Sequence, residues 1–164
     1  MSIRNACRAI VIHGNKILLN KNQNSIGDMC YGIPNNAIYY DLPGGGQNQY
    51  ETLENAVIRE CIEESGYTVS IEKLVAIYEE ISLNEKFRIA YEQYAHKVHF
   101  IFRCKLIDIP MKELAEKDLD MLQSEWVELE SINNIPLYPL MIKRNLRQLL
   151  TTDVPLYLGT GMIK

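Results

Sequence analysis

The chain has 164 residues, 47% of them hydrophobic and 23% charged, with a net charge of −4. That length suits one domain, residues 1–164, able to bury about two-thirds of the surface its unfolded chain exposes without help from disulfides. An acidic balance is a poor basis for general nucleic-acid binding, which depends on phosphate neutralisation by Lys and Arg, so no DNA partner is expected. No apolar run is long enough to span a bilayer, so no membrane partner is expected either. Cys7, Cys30, Cys61 and Cys104 lie far apart with no C-x-x-C pair, and the run Ala9–Ile12 is too short for a signal peptide. Free thiols in a reducing cytoplasm are the expectation.

Along the chain, Cys7–Ile12 and Lys16–Leu19 are apolar runs separated by His13-Gly14-Asn15, which predicts a hairpin. A turn at Pro34-Asn35-Asn36 leads into a strand over Ala37–Leu42, and Pro43-Gly44-Gly45-Gly46 then breaks any regular element. Thr52–Glu64 predicts a helix stopped by Gly66. The β-branched and aromatic stretches Val69–Ile81 and Lys97–Leu106 predict strands, with a shorter one over Glu125–Leu129. A last helix over Leu140–Leu150 carries Ile142, Leu146, Leu149 and Leu150 on or near one face. This order implies an α/β fold, a mixed sheet with helices packed on it.

At about 100° per residue, Leu53, Ala56 and Val57 share a stripe that continues into Glu60 and Glu64, with Glu63 at its edge. Three carboxylates within one turn repel one another, and they lie toward the helix C-terminus, where the macrodipole disfavours negative charge. A divalent cation offsets both penalties, and Mg²⁺ takes oxygen ligands while sharing its shell with substrate phosphates. Gly44, Gly45 and Gly46 allow backbone to approach a ligand closely, with carbonyls for metal and N–H groups for phosphate. Arg59, one turn before Glu63, can fork onto a carboxylate and fix its orientation.

Gly45, Glu51, Arg59, Glu60, Cys61, Glu63, Glu64, Gly66 and Tyr67 follow the spacing G-x5-E-x7-R-E-U-x-E-E-x-G-U, where U is a bulky aliphatic residue. The chain therefore resembles the Nudix (MutT-like) hydrolases over residues 45–67, departing only at two packing positions, Cys61 and Tyr67. The resemblance implies an α/β/α sandwich with the signature as a loop–helix–loop beside the substrate cleft. It also implies hydrolysis of a nucleoside diphosphate linked to another group, with Mg²⁺ or Mn²⁺ as cofactor. By position, Glu60, Glu63, Glu64 and the Gly45 carbonyl would hold metal, and Glu63 or Glu64 would serve catalysis. Arg59 with Glu51 would form an orienting ion pair, and Gly44 and Gly46 would meet substrate. Members of the family are often homodimers, and the apolar tail Val154–Met162 either packs across such an interface or folds back on its own sheet.

Outside the signature, Glu79, Glu80, Glu92 and Glu125 are expected at the surface, and His96 in a structural or exposed role. Lys143, Arg144 and Arg147 are expected to form a solvated face, and Tyr39, Tyr40, Tyr91 and Tyr94 to serve packing rather than base stacking. Motifs of coenzyme A and NADH hydrolases are absent, which leaves a nucleoside triphosphate or a small nucleotide conjugate as substrate. The alternatives are a nucleotide-sensing domain without catalysis and an enzyme acting on RNA 5′ ends.

Overall fold

The computed structural model describes residues 3–27, 31–108 and 120–164. Its central strand, β1 (Arg4–His13), is buried on both sides: Cys7, Ala9 and Val11 join one apolar cluster and Ile10 the other. A strand covered on both faces needs apolar residues at successive positions, which explains the unbroken run at Ala9–Val11. β2 (Lys16–Gln23) turns back antiparallel through Gly14, which takes a left-handed φ of 58°. β3 is Ile38–Asp41, α1 is Leu53–Ser65, β4 is Thr68–Ser82 and α2 is Glu85–Ala90. β5 (His96–Asp108), β6 (Met121–Glu128), α3 (Leu140–Thr151) and β7 (Leu156–Ile163) complete the order.

The mixed sheet runs β3-β2-β1-β5-β4-β7, with β6 also paired to β2. β1 lies parallel to β5, β4 antiparallel to β5, and β7 parallel to β4. α3 covers one face, setting Ile142, Leu146 and Leu149 on Ile10, Ile101 and Val75. α1 covers the other, setting Ala56, Val57 and Cys61 on Cys7, Ala9 and Phe102. The α/β/α sandwich expected from the sequence is what forms.

One irregularity positions the site. β2 registers with β1 only at Ile12–Ile17 and His13–Lys16. Beyond that point β1 turns its edge to the glycine loop: Cys7 N–H donates to Gly45 O and Ala9 N–H to Pro43 O, both at 2.8 Å, and Ala6 bridges Gly46. The loop thus satisfies backbone groups that burial would otherwise leave unpaired.

The tail folds back on its own sheet as β7, with Tyr157 and Met162 exposed. α2 was absent from the sequence expectations, since six residues are too few for a helical period to show. Cys7, Cys61 and Cys104 are free and buried, and Cys30 lies outside the described residues. Among the described residues no helix is long and apolar enough to cross a membrane.

Candidate active site

α1 begins where Thr52 Oγ1 accepts from Asn55 N–H at 3.1 Å and ends at Gly66, whose φ of 73° suits a residue without Cβ. The stripe behaves as its periodicity predicts. Ala56, Val57 and Cys61 are fully buried, and Glu64, further along the same stripe, is only 5% exposed. Its Oε2 accepts from Gly44 N–H and from Asn20 Nδ2, each at 2.8 Å. Ser124 Oγ donates to Asn20 Oδ1 at 2.7 Å and so orients that amide. Burial, with Asp41 nearby, pushes the Glu64 carboxyl up to about 8. Glu60 is likewise raised, again chiefly by burial. A Cβ on Gly45 would lie 2.5 Å from Glu60 Oε2, so any larger residue there must displace the carboxylate. Glu63 is the most exposed of the three, at 37% of its side chain.

Arg59 organises the remaining charges. Its Nε and Nη2 fork onto Glu51 Oε1 and Oε2 at 2.9 and 3.1 Å, while Nη2 also donates to Gly46 O at 2.9 Å. Nη1 donates to Glu60 Oε1 and to Glu63 Oε2, both at 2.8 Å. The fork to Arg59 holds Glu51 below the usual carboxylate range, and the same bonds raise the guanidinium. A Cβ on Gly46 would meet the Arg4 guanidinium. Arg59 thus joins Glu51, Glu60, Glu63 and the Gly46 carbonyl in one cluster linking loop and helix, and Glu64 ties the helix to Gly44.

The described residues hold no group of three His, Cys, Asp or Glu side chains disposed to bind a metal ion as they stand. The cause is visible: Glu60 and Glu63 are turned onto the single cation Arg59 Nη1, while Glu64 is turned onto Gly44 and Asn20. The donor chemistry nevertheless fits a hard divalent ion. The Glu60 carboxylate lies against the Gly45 backbone, Glu64 against Gly44 N–H, and burial raises both carboxyls, as it would where a cation is missing. Arg59 retains its fork on Glu51 if Glu60 and Glu63 turn away from it.

A cavity of about 480 Å³ adjoins this cluster. Arg8 connects the two: it lines the cavity, and its Nη1 donates to Leu42 O at 3.0 Å and to Gly44 O. Tyr39, Tyr91 and Tyr94 line the cavity while packing on Tyr138, Phe87 and Arg4 respectively, whereas Tyr40 packs on the α3-side core and donates to Glu125 Oε1 at 2.8 Å. Glu80, expected at the surface, is 4% exposed and faces the cavity, because Tyr31 Oη and Lys97 Nζ compensate its charge there. Glu92 is exposed as expected, and Glu79 and Glu125 are half-buried. His96 pairs with Glu79 Oε1 at 2.8 Å, a structural role. Arg144 and Arg147 are exposed, and Lys143 donates to Ile135 O.

Arg8, Asn20, Lys97 and His99 were not singled out from the sequence. They lie on β1, β2 and β5, and only pairings distant in sequence bring them to the site. The two irregular signature positions pack soundly. Cys61 is fully buried among apolar residues, and Tyr67 accepts from Trp126 Nε1 at 2.8 Å with the rings edge-on.

Fold and site together define a class: an α/β/α domain whose acidic helix is docked beneath a glycine loop by one arginine. A family model for the NUDIX domain matches residues 3–148, and the chain belongs to that family. It is 29% identical over 131 residues to an ADP-ribose pyrophosphatase of Methanocaldococcus jannaschii, covering 80% of this chain but only 63% of that protein. Two solved structures share the fold. A NUDIX hydrolase from Nitrosomonas europaea superposes with a TM-score of 0.64 at 19% identity, over 91% of this chain and 86% of that one. A MutT protein from Bacillus halodurans gives 0.64 at 22% identity, over 98% and 90%.

Proposed function

We propose that the protein is a Mg²⁺- or Mn²⁺-dependent hydrolase that cleaves the diphosphate bond of a nucleoside diphosphate linked to another group. The observation that carries this reading is the docking of buried Glu64 on the Gly44 N–H, which sets an acidic helix face against a backbone able to meet phosphate. In this reading Glu60, Glu63, Glu64 and the Gly45 carbonyl hold the metal, and the nucleoside lies in the adjoining cavity. The bound metal would supply electrostatic stabilisation of the diphosphate and a more acidic water. Glu63, the most exposed of the helix carboxylates, accepts the proton of the attacking water. Arg59 keeps Glu51 and the Gly46 carbonyl fixed, so the loop holds its place as Glu60 and Glu63 change partners. Arg8, beside Gly44 and Asp41, supplies positive charge between cavity and loop, where the diphosphate would lie. The pyrophosphatase name of the archaeal relative supports a nucleotide-derived diphosphate as substrate class.

A panel of nucleoside triphosphates, dinucleotides and nucleotide sugars, incubated with protein and Mg²⁺, tests this directly. The expected outcome is release of a mononucleotide from at least one compound, with Glu63→Gln or Glu64→Gln folded but slower by about 10² or more. Full activity in both variants refutes the assignment.

A further inference from the structure

α2 contributes little to the core: it buries none of its side chains, and its Ile89 is 84% exposed. Local bonds hold it in place instead. Asn84 Oδ1 caps the helix by accepting from Phe87 N–H at 3.1 Å, and Ser82 Oγ, at the end of β4, accepts from Asn84 N–H at 3.2 Å. Phe87 and Tyr91 stand four residues apart, a spacing that sets two side chains over one face of a helical turn. Their ring centroids are 5.2 Å apart, and both rings, each half-buried, line the cavity that adjoins the glycine loop. Among the described residues each is the other's only ring partner. A short helix that fills no part of the core thus presents two aromatic rings to a cavity.

The polar groups deeper in that cavity are already engaged. Tyr31 Oη reaches both oxygens of Glu80, at 3.0 and 2.9 Å, and Lys97 Nζ pairs with Oε1. Asn22 Nδ2 donates to Asp41 Oδ1, and Arg8 Nη1 donates to the Leu42 and Gly44 carbonyls. Both ring nitrogens of His99 are buried out of a ligand's reach. Strong discrimination between bases of one shape needs buried groups that the wrong base would leave unpaired. Groups paired within the protein lose nothing whichever base enters. Aromatic rings attract every base, because every base has a π-face.

We propose that Phe87 and Tyr91 form the platform on which the base of the nucleotide stacks, and that the cavity accepts adenine and guanine alike. This rests on the cavity being the nucleoside site of the proposed hydrolase. Its volume of about 480 Å³ suits a small ligand of that size. Arg8 runs from the cavity lining to Gly44 O, so a base against α2 and a diphosphate at the glycine loop belong to one molecule. The two rings are packed on each other before any ligand arrives, so little side-chain freedom is lost when a base covers them.

Binding of adenosine monophosphate, guanosine monophosphate and ribose 5-phosphate to the intact protein, measured by calorimetry with chelator and no metal, tests the inference apart from catalysis. The two nucleotides should bind within about threefold of each other, and ribose 5-phosphate at least about tenfold more weakly than either. Replacing both rings, Phe87→Leu with Tyr91→Leu, keeps apolar bulk but removes the π-faces. It should weaken both nucleotides about tenfold and leave ribose 5-phosphate unchanged, a difference that general loosening of the fold would not produce. Ribose 5-phosphate binding as tightly as the nucleotides, a preference above about tenfold for one purine, binding of none of the three, or unchanged nucleotide affinity in the double variant overturns the proposal. The ligand comparison on the unaltered protein decides the matter even if the variant fails to fold. Base-dependent binding with no diphosphate cleaved under Mg²⁺ would overturn the hydrolase reading alone. Nucleotide hydrolysis with wild-type kcat/KM in the double variant would overturn the platform alone.

Discussion

Two adjacent glycines should respond to the same substitution in opposite ways. At Gly45 the added methyl of alanine would lie 2.5 to 2.6 Å from the three carboxylate atoms of Glu60. Ordinary contact between such atoms is about 3.5 Å, so the carboxylate must retreat by about 1 Å. It is the far end of a flexible side chain, and its retreat strains no backbone. The unfolded chain is also stiffened by alanine, a gain of about 0.4–1 kcal/mol that offsets part of the lost packing. Gly45→Ala should therefore melt within about 3 °C of wild type, yet lose about 10² in kcat/KM, the usual consequence of a 1 Å misplacement at a reacting centre. At Gly44 the methyl would meet backbone, 2.0 Å from Cys7 O and 2.9 Å from Arg8 Cα, and φ is +135°. Strain of about 1–3 kcal/mol, together with a weakened Gly44–Glu64 hydrogen bond of about 1.5–3 kcal/mol, predicts a cost of about 2.5–6 kcal/mol. For a chain of this size that lowers the melting temperature by roughly 10 °C. Thermal unfolding by circular dichroism and steady-state kinetics on one hydrolysed substrate separate the two outcomes. Wild-type kcat/KM in Gly45→Ala, or wild-type melting in Gly44→Ala, refutes the reasoning.

Arg59→Lys keeps the charge but loses the planar fork that serves Glu51, Glu60, Glu63 and Gly46 O together. It should lower kcat by about 10–100-fold and stability by about 1–2 kcal/mol after allowance for partial exposure, read by kinetics and denaturant titration. His99 is buried neutral, with its folded pKa depressed, so the stability it contributes is complete above the unfolded value of about 6.5 and is lost as pH falls below it. Wild type should therefore lose stability relative to His99→Gln between pH 6.5 and 5, at no more than about 1.4 kcal/mol per unit, in parallel urea titrations. A flat difference across that range contradicts the burial of a neutral imidazole.

Local pattern made the helix and loop legible. A helix starting at Thr52, a terminating Gly66 and a stripe from Leu53 to Glu64 are read within 15 residues, and the fold adds Thr52's place as the cap and what the helix docks on. Burial of Glu64 followed from its place on that stripe, but its partner Asn20 did not, because the contact spans 44 positions. Glu80 shows the opposite failure. A glutamate on a strand is ordinarily solvated, and nothing near it in sequence reveals Tyr31 or Lys97 waiting to compensate its charge. The tail was ambiguous for a related reason: an apolar strand does not say which edge it joins, and the parallel register with β4 decides that for β7.

Where β2 leaves β1, residues Pro43 to Gly46 take over as β1's neighbour and receive the N–H groups of Cys7 and Ala9. A segment that looks like a loose glycine linker is therefore stitched into the most protected part of the molecule. Local opening there would strip two amides from the central strand, so it should be nearly as rare as unfolding the whole domain. Hydrogen exchange at these two amides would report how firmly the glycine loop is anchored, and lengthening the chain between Gly46 and Thr52 should leave that protection intact.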